Sequence, residues 1–379
     1  MTAGPAGTKT KIVYTISLVA HSRVFEWTAE LLSKEKYELV FILMHSTETP
    51  LELFLRKHGF RVYRVHYTTK KNLPGAVLKI RRILKREKPA IVHTHLFEAG
   101  LAGMAAAKLA GIKTRIHTRH DATIHHLYHP QAVKYDRFTN RCSTHLVAIT
   151  ESVKNILRDM EQVSEKKITI IHHGFKLEEF AQVSQTRIDA MSRKYFPGGK
   201  KFRVLGIVSR FIEWKGIQYI IPAFRKLLEQ DENVHLVFVN AVGPYTGELD
   251  KLLRTLPKEK FTLIPFETDI PALYHLFDIF IHVPVDAAAE AFGQVYVEAM
   301  AAGVPSVITR SGITCDYVTD RKNALVVPYR DPEKIEAAVN ELLHSPELAA
   351  SIAQQASADV AERFGIEKMI NALEELYDR

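Results

Sequence analysis

The chain alternates short apolar, β-branched runs with longer stretches whose apolar positions recur three and four residues apart. In the first half the short runs cover residues 11–17, 37–44, 60–66, 90–93, 114–118, 145–149 and 168–172. These predict strands, with helical patterns such as 25–32 and 101–110 between them. Strands separated by helices imply a parallel sheet covered on both faces. Residues 176–200 break the rhythm: they are polar, end in the turn Pro197-Gly198-Gly199, and read as an inter-domain connection. A second alternation follows, with strands predicted over 202–208, 234–240, 261–264, 279–283, 304–308 and 324–327 and a helical tail from Pro332 onward. The expected fold class is α/β, two facing doubly wound Rossmann-like domains over 1–180 and 200–363. A helix over 364–379 is placed to pack back on the first. Such sheets bind ligands outside the carboxyl ends of their strands, so the active site is expected in the inter-domain cleft.

Composition narrows the class. With 46% hydrophobic and 25% charged residues, 18 Gly and 16 Pro, the chain is neither collagen-like, mucin-like nor largely disordered. No apolar run approaches the ~18–20 residues that cross a bilayer. The first ten residues carry no apolar segment of a secretory leader. Cys142 and Cys315 stand far apart, which supports neither a disulfide framework nor a zinc site and fits a reducing cytoplasm. Charge is uneven: residues 1–200 carry 33 Lys and Arg against 17 Asp and Glu, and residues 201–379 carry 18 against 26. A basic first half suggests an anionic partner there, with a solvated basic face as the plainer reading.

Two motifs carry the candidate chemistry. The first is Glu290-Ala-Phe292-Gly293-Gln294-Val295-Tyr-Val-Glu298. A helix beginning near Gly293 would leave Glu290 on the preceding loop and Glu298 about one turn in. The amides of Gly293, Gln294 and Val295 would then form an anion site, since glycine permits close backbone approach. Carboxylates on either side suit hydroxyls at both ends of a phosphate-bridged ligand; the plainer reading is a capped helix running into the core. The second motif is Ser209-Arg210-Phe-Ile-Glu-Trp-Lys215-Gly216, directly after a predicted strand. Arg210 and Lys215 at such a strand end make a diphosphate clamp, or two surface cations.

Taken together and in this order, the motifs resemble glycosyltransferase family 4, the retaining GT-B sugar-nucleotide transferases, most strongly from Val204 to Pro328. The resemblance implies that Arg210 and Lys215 bind the donor diphosphate and Glu298 the ribose. It implies that Glu290 holds the donor sugar and steadies charge at its anomeric carbon, and that the amides from Phe292 to Val295 touch sugar and phosphate. Pro265-Phe266-Glu267 matches the segment that packs the base. In the first half, His120 of Ile116-His-Thr-Arg-His120 matches the family's active-site histidine, and His95 of His93-x-His95 is expected to shape the cleft. The implied donor is a UDP- or GDP-sugar, with no metal and no other cofactor. The implied acceptor is a glycan or a lipid-linked glycan at the cytoplasmic membrane face.

Departures from the family pattern fall mostly on the acceptor side. The usual glycine pair after the first strand is replaced by Leu18-Val-Ala-His21-Ser22-Arg23, which makes His21, Ser22 and Arg23 acceptor-side candidates. The usual Pro-Ser before the first glutamate becomes the longer stretch 284–289, and the Asn-Gly at the domain link becomes His173-Gly174. Five histidines between 117 and 129 suggest an acceptor groove more than a metal site, with only Asp121 as a nearby carboxylate. Residues 74–88 form a basic amphipathic pattern that suits either an anionic membrane or a domain helix with a solvated face. Nucleic acid is disfavoured, since no recognition motif accompanies the charge. The rival readings are a GT-B epimerase or phosphorylase, and a non-enzymatic module that binds anionic surfaces. A dinucleotide-dependent dehydrogenase is disfavoured because no G-x-G-x-x-G follows the first strand.

Overall fold

The computed structural model describes residues 9–379. They form two compact units, one of residues up to Gly174 together with Ile366–Arg379, the other Phe175–Gly365. The first unit is built on β1 (Thr10–Ser17), β2 (Tyr37–Met44), β3 (Arg61–Val65), β4 (Ile91–His95), β5 (Thr114–Arg119), β6 (His145–Ala148) and β7 (Ile168–Ile170). Their order is β3-β2-β1-β4-β5-β6-β7 and every pair is parallel. Sheets covered by helices on both faces need strands apolar on both sides, and β2 (YELVFILM) is of that kind. The chain runs outward through β2 and β3 and then returns to lay β4 beside β1. The carboxyl ends of β1 and β4 therefore flank the point where strand order reverses, at which a crevice opens.

The second unit repeats this plan with β8 (Arg203–Val208), β9 (Val234–Val239), β10 (Phe261–Ile264), β11 (Ile279–His282), β12 (Ser306–Ile308) and β13 (Leu325–Val326), ordered β10-β9-β8-β11-β12-β13. Here β8 and β11 flank the reversal, with Leu205 beside Ile279 and Gly206 beside Phe280. All thirteen runs expected from the apolar pattern are strands.

Residues 176–200 are not a connection between the units. They contain the helices Glu178–Ala181 and Gln185–Tyr195 and belong to the second unit. Phe180, Met191 and Phe196 are buried, and the Phe180 carbonyl is bonded by His275 Nε2 at 2.7 Å. Three widely spaced apolar anchors hold a segment whose average composition reads as a linker. The first unit ends at Gly174 rather than Phe180, and the tail helix Ile366–Tyr377 belongs to it. Tyr377 carries its hydroxyl into a buried chain, bonded to Tyr14 and, at 2.7 Å, to His93 Nδ1. His93 Nε2 in turn meets Thr118 Oγ1 at 2.7 Å.

Candidate functional site

Both candidate motifs leave the strands that flank the reversal in the second unit. After β8, Phe211 is buried and its amide bonds Val242 O at 3.0 Å, which fixes the exposed Arg210 beside the strand end. A single 3₁₀ turn, Glu213–Lys215, leads to Gly216 at φ 76°. A Cβ on Gly216 would lie 1.8 Å from Val283 O, so only glycine lets this loop press against the end of β11. Lys215 Nζ thereby reaches Glu290 Oε1 at 2.5 Å, while Arg210 has no ion pair among the described residues.

Glu290 is 8% exposed. Its Oε1 accepts from both Lys215 Nζ and, at 2.8 Å, His282 Nε2, and its own amide bonds Ser311 Oγ at 3.0 Å. Burial alone would raise its pKa, but the Lys215 charge and the His282 bond overcome this and hold it at about 2. Burial pushes His282 down, so the cluster is a carboxylate, an ammonium and a neutral imidazole. Gly293 then turns at φ 83° into the helix Gln294–Ala301. The first amides of a helix have no acceptor within it and present partial positive charge. The Phe292 ring packs on Phe175 and Phe364, so its side chain belongs to the core. Glu298, half-buried one turn in, accepts from Tyr274 Oη at 3.0 Å.

Glu267 has a different setting from its neighbours in the motif. Its Oε2 accepts from Lys194 Nζ at 2.7 Å and Tyr195 Oη at 2.5 Å, and its Oε1 from the amides of Thr268 and Asp269 at 2.7 and 3.0 Å. These donors outweigh burial and hold its pKa at about 2. With both oxygens engaged, Glu267 is a clamp for its loop. The adjacent Phe266, 65% exposed, is the side chain that loop offers to a ligand.

In the first unit, His95 and His120 end β4 and start the loop after β5. His95 Nδ1 and His120 Nε2 are 3.2 Å apart, and His120 stacks on His173 with ring centres separated by 5.4 Å. Burial holds both His95 and His120 neutral. They line a largely apolar cavity with Tyr14, Phe25, Met369 and Leu373. Next to His120, Arg119 is buried between Asp136 and Glu161, and His125 Nδ1 bonds Asp136 Oδ2 at 2.7 Å. His125 thus serves this ionic cluster, and no group of three metal-ligating side chains is found among the described residues. On the loop after β1, Leu18 adopts φ 53°, the turn a glycine would make more easily. Ser22 caps the helix Arg23–Leu31 by accepting from the Phe25 amide at 3.4 Å, and His21 is exposed on the loop just before it.

Sequence reasoning missed His282 and Tyr274. A polar residue ending an otherwise apolar strand was the available signal for His282. Tyr274 gave none, since its ring reads as core.

The sequence pattern of the family "Glycosyl transferases group 1" matches residues 191–359, and that of "Glycosyltransferase Family 4" matches residues 22–179. The capsular polysaccharide biosynthesis glycosyltransferase CapM of Staphylococcus aureus is 25% identical over 313 residues, 80% of each chain. An Escherichia coli UDP-Gal:alpha-D-GlcNAc-diphosphoundecaprenol alpha-1,3-galactosyltransferase is 24% identical over 323 residues, 80% of this chain and 78% of that one. The crystal structure of Anabaena Alr3699/HepE in complex with UDP-glucose matches with a TM-score of 0.84 and 19% identity, covering 97% of this chain and 100% of that one. The two Rossmann-like units are those of the GT-B fold, and with both family patterns matched in order the chain belongs to the group 1, family 4 glycosyltransferases.

Proposed function

We propose that this glycosyltransferase moves a sugar, with retention of anomeric configuration and without a metal, from a UDP-sugar to a hydroxyl of a glycan or lipid-linked acceptor. The observation that carries the reading is the pairing of a fixed carboxylate with two cations at one strand reversal, beside a helix N-terminus. In this reading Arg210, Lys215 and the amides of Gly293 to Val295 counter the diphosphate, and Glu298 takes the ribose hydroxyls. Phe266 stacks on the base, and Glu290 holds the sugar. The anomeric carbon–oxygen bond breaks with its electron pair going to UDP. The acceptor oxygen bonds the same face of that carbon and gives its proton to the departing phosphate. His120, held neutral, orients an acceptor hydroxyl. UDP is the favoured nucleotide because HepE, which shares this chain's fold, binds UDP and UDP-glucose, and the Escherichia coli relative is named for UDP-Gal.

UDP is expected to raise the melting temperature by several degrees at saturation, with GDP and ADP inert and EDTA without effect. Lys215→Ala should weaken UDP binding about 10- to 100-fold, as expected when a charge-assisted bond is lost. Calorimetry that found equal affinity for the variant would remove Lys215 from the site.

The acceptor reading includes contact with an anionic membrane. Of the cations of β3, Arg61 is engaged by Glu87 and Arg64 by Glu52. Lys70, Lys71, Lys79, Arg82 and Lys85, on or beside the helix Leu73–Glu87, have no ion pair among the described residues, and Leu78 among them is 54% exposed. No helix among the described residues is long and apolar enough to cross a membrane. At about 1 kcal/mol per cation, charge reversal at Lys79, Arg82 and Lys85 should cut binding to phosphatidylglycerol vesicles at least 100-fold. Unchanged co-sedimentation would refute the contact.

A further inference from the structure

We propose that His282 is a positioning residue for sugar transfer, which keeps Glu290 Oε2 directed at the donor sugar while Lys215 engages the diphosphate. The proposal rests on the reading of Glu290 as the sugar-binding carboxylate.

Two donors converge on one oxygen. Lys215 Nζ and His282 Nε2 both bond Glu290 Oε1, at 2.5 and 2.8 Å. Oε2 has no partner among the described residues and is not among the atoms sealed from solvent without one. The carboxylate is therefore divided: one oxygen belongs to the protein and the other is open to a ligand hydroxyl.

The two donors differ in how firmly they are held. Lys215 lies on a loop, its side chain is 20% exposed, and its flexible stem can turn toward a phosphate. His282 is the last residue of β11, in register with Ile308 of β12, and 1% exposed. Its ring meets Tyr296 edge-on at 4.8 Å and lies parallel to Phe280 at 6.1 Å. It cannot follow a ligand. If the diphosphate draws Lys215 away, His282 remains the only side chain among the described residues holding Oε1.

The hydrogen-bond inventory shows what this histidine is for. Bonding an ionised carboxylate places the proton on Nε2, and burial together with the Lys215 charge keeps the ring neutral. Nδ1 is then a bare acceptor, and it is buried without a partner. An apolar residue would fill the end of β11 without leaving a polar atom orphaned. Among the described residues the side chain's one polar contact is Glu290, so what offsets that orphaned atom is found at Glu290.

The test uses the full chain with His282→Leu and His282→Gln. Leucine fills the space and removes the donor, whereas the glutamine amide can still donate to Oε1. UDP affinity is measured by calorimetry, and kcat and KM by UDP release from UDP-hexoses. The leucine variant should keep the UDP Kd and the donor KM within about threefold while kcat falls about 100-fold. Glutamine should restore at least about tenfold of that loss. Nitrogen-15 NMR of the unliganded protein should show His282 protonated at Nε2 alone, and Glu290→Gln should shift that resonance. Transfer by the leucine variant within about threefold of the parent overturns the proposal. So does a loss of UDP affinity matching the loss of rate in both variants, which marks a purely structural role. An unmodified protein that binds no UDP overturns the donor-site reading instead, and the proposal falls with it.

Discussion

Replacing Glu290 by glutamine is expected to lower sugar transfer by about 100- to 1000-fold and to leave UDP affinity equal or slightly higher, since the lost interaction is an aligned charge and not a contact with the nucleotide. The sign on binding follows from the ion pair. In the unliganded protein Lys215 is held by the carboxylate it would leave to meet a diphosphate. Glutamine keeps the shape, gives up the negative charge and releases the lysine. Measuring kcat together with the UDP Kd separates these terms. A variant that transfers at the normal rate would place the sugar elsewhere. The pH dependence has a definite direction as well. With its folded pKa depressed to about 2, Glu290 adds stability that is complete above the ordinary carboxylate range and fades as pH falls toward 2. An acid limb in the rate near neutrality therefore belongs to another group.

Much of this was legible before the fold was known. Continuous apolar runs mark parallel strands because both faces of the sheet are covered. The glycines at 216 and 293 mark turns because each adopts a positive φ. What escaped was of two kinds. Residues 176–200 read as a linker because composition averages over a window, while Phe180, Met191 and Phe196 act singly as anchors. Roles that depend on a partner far along the chain were also hidden. Glu267 sits within the right motif, yet Lys194 and Tyr195, more than seventy residues earlier, take its second oxygen. His282 becomes visible only once β11 brings it to Glu290. Motifs locate the chemistry; the division of labour among their atoms is set by tertiary hydrogen bonds.

The largest stability loss is expected from Arg119→Met. Arg119, 2% exposed at the end of β5, donates to Asp136, to Glu161 Oε1 at 3.1 Å and to the Asp121 carbonyl at 3.1 Å. Asn140 Nδ2 supplies Glu161 Oε2 at 2.6 Å. Methionine fills the volume and leaves two buried carboxylates without the guanidinium they share. Breaking a buried pair in this way costs about 3–5 kcal/mol, or roughly 10 °C in melting temperature for a unit of this size. The cost should depend on pH. Burial already raises the Glu161 pKa, with Arg119 pulling it back; without the arginine it rises further. The native state then holds a proton that the unfolded chain releases above the ordinary carboxylate range, so the variant should regain stability as pH falls toward that range. Adding Glu161→Gln should recover part of the loss at neutral pH, since it removes one of the two stranded charges. His120 follows Arg119 directly in the chain, so transfer should fall well below the melting transition while UDP binding, assigned to residues of the other unit, is retained. Equal urea midpoints for Arg119→Met and the parent at neutral pH would show that the arginine is not what holds this cluster together.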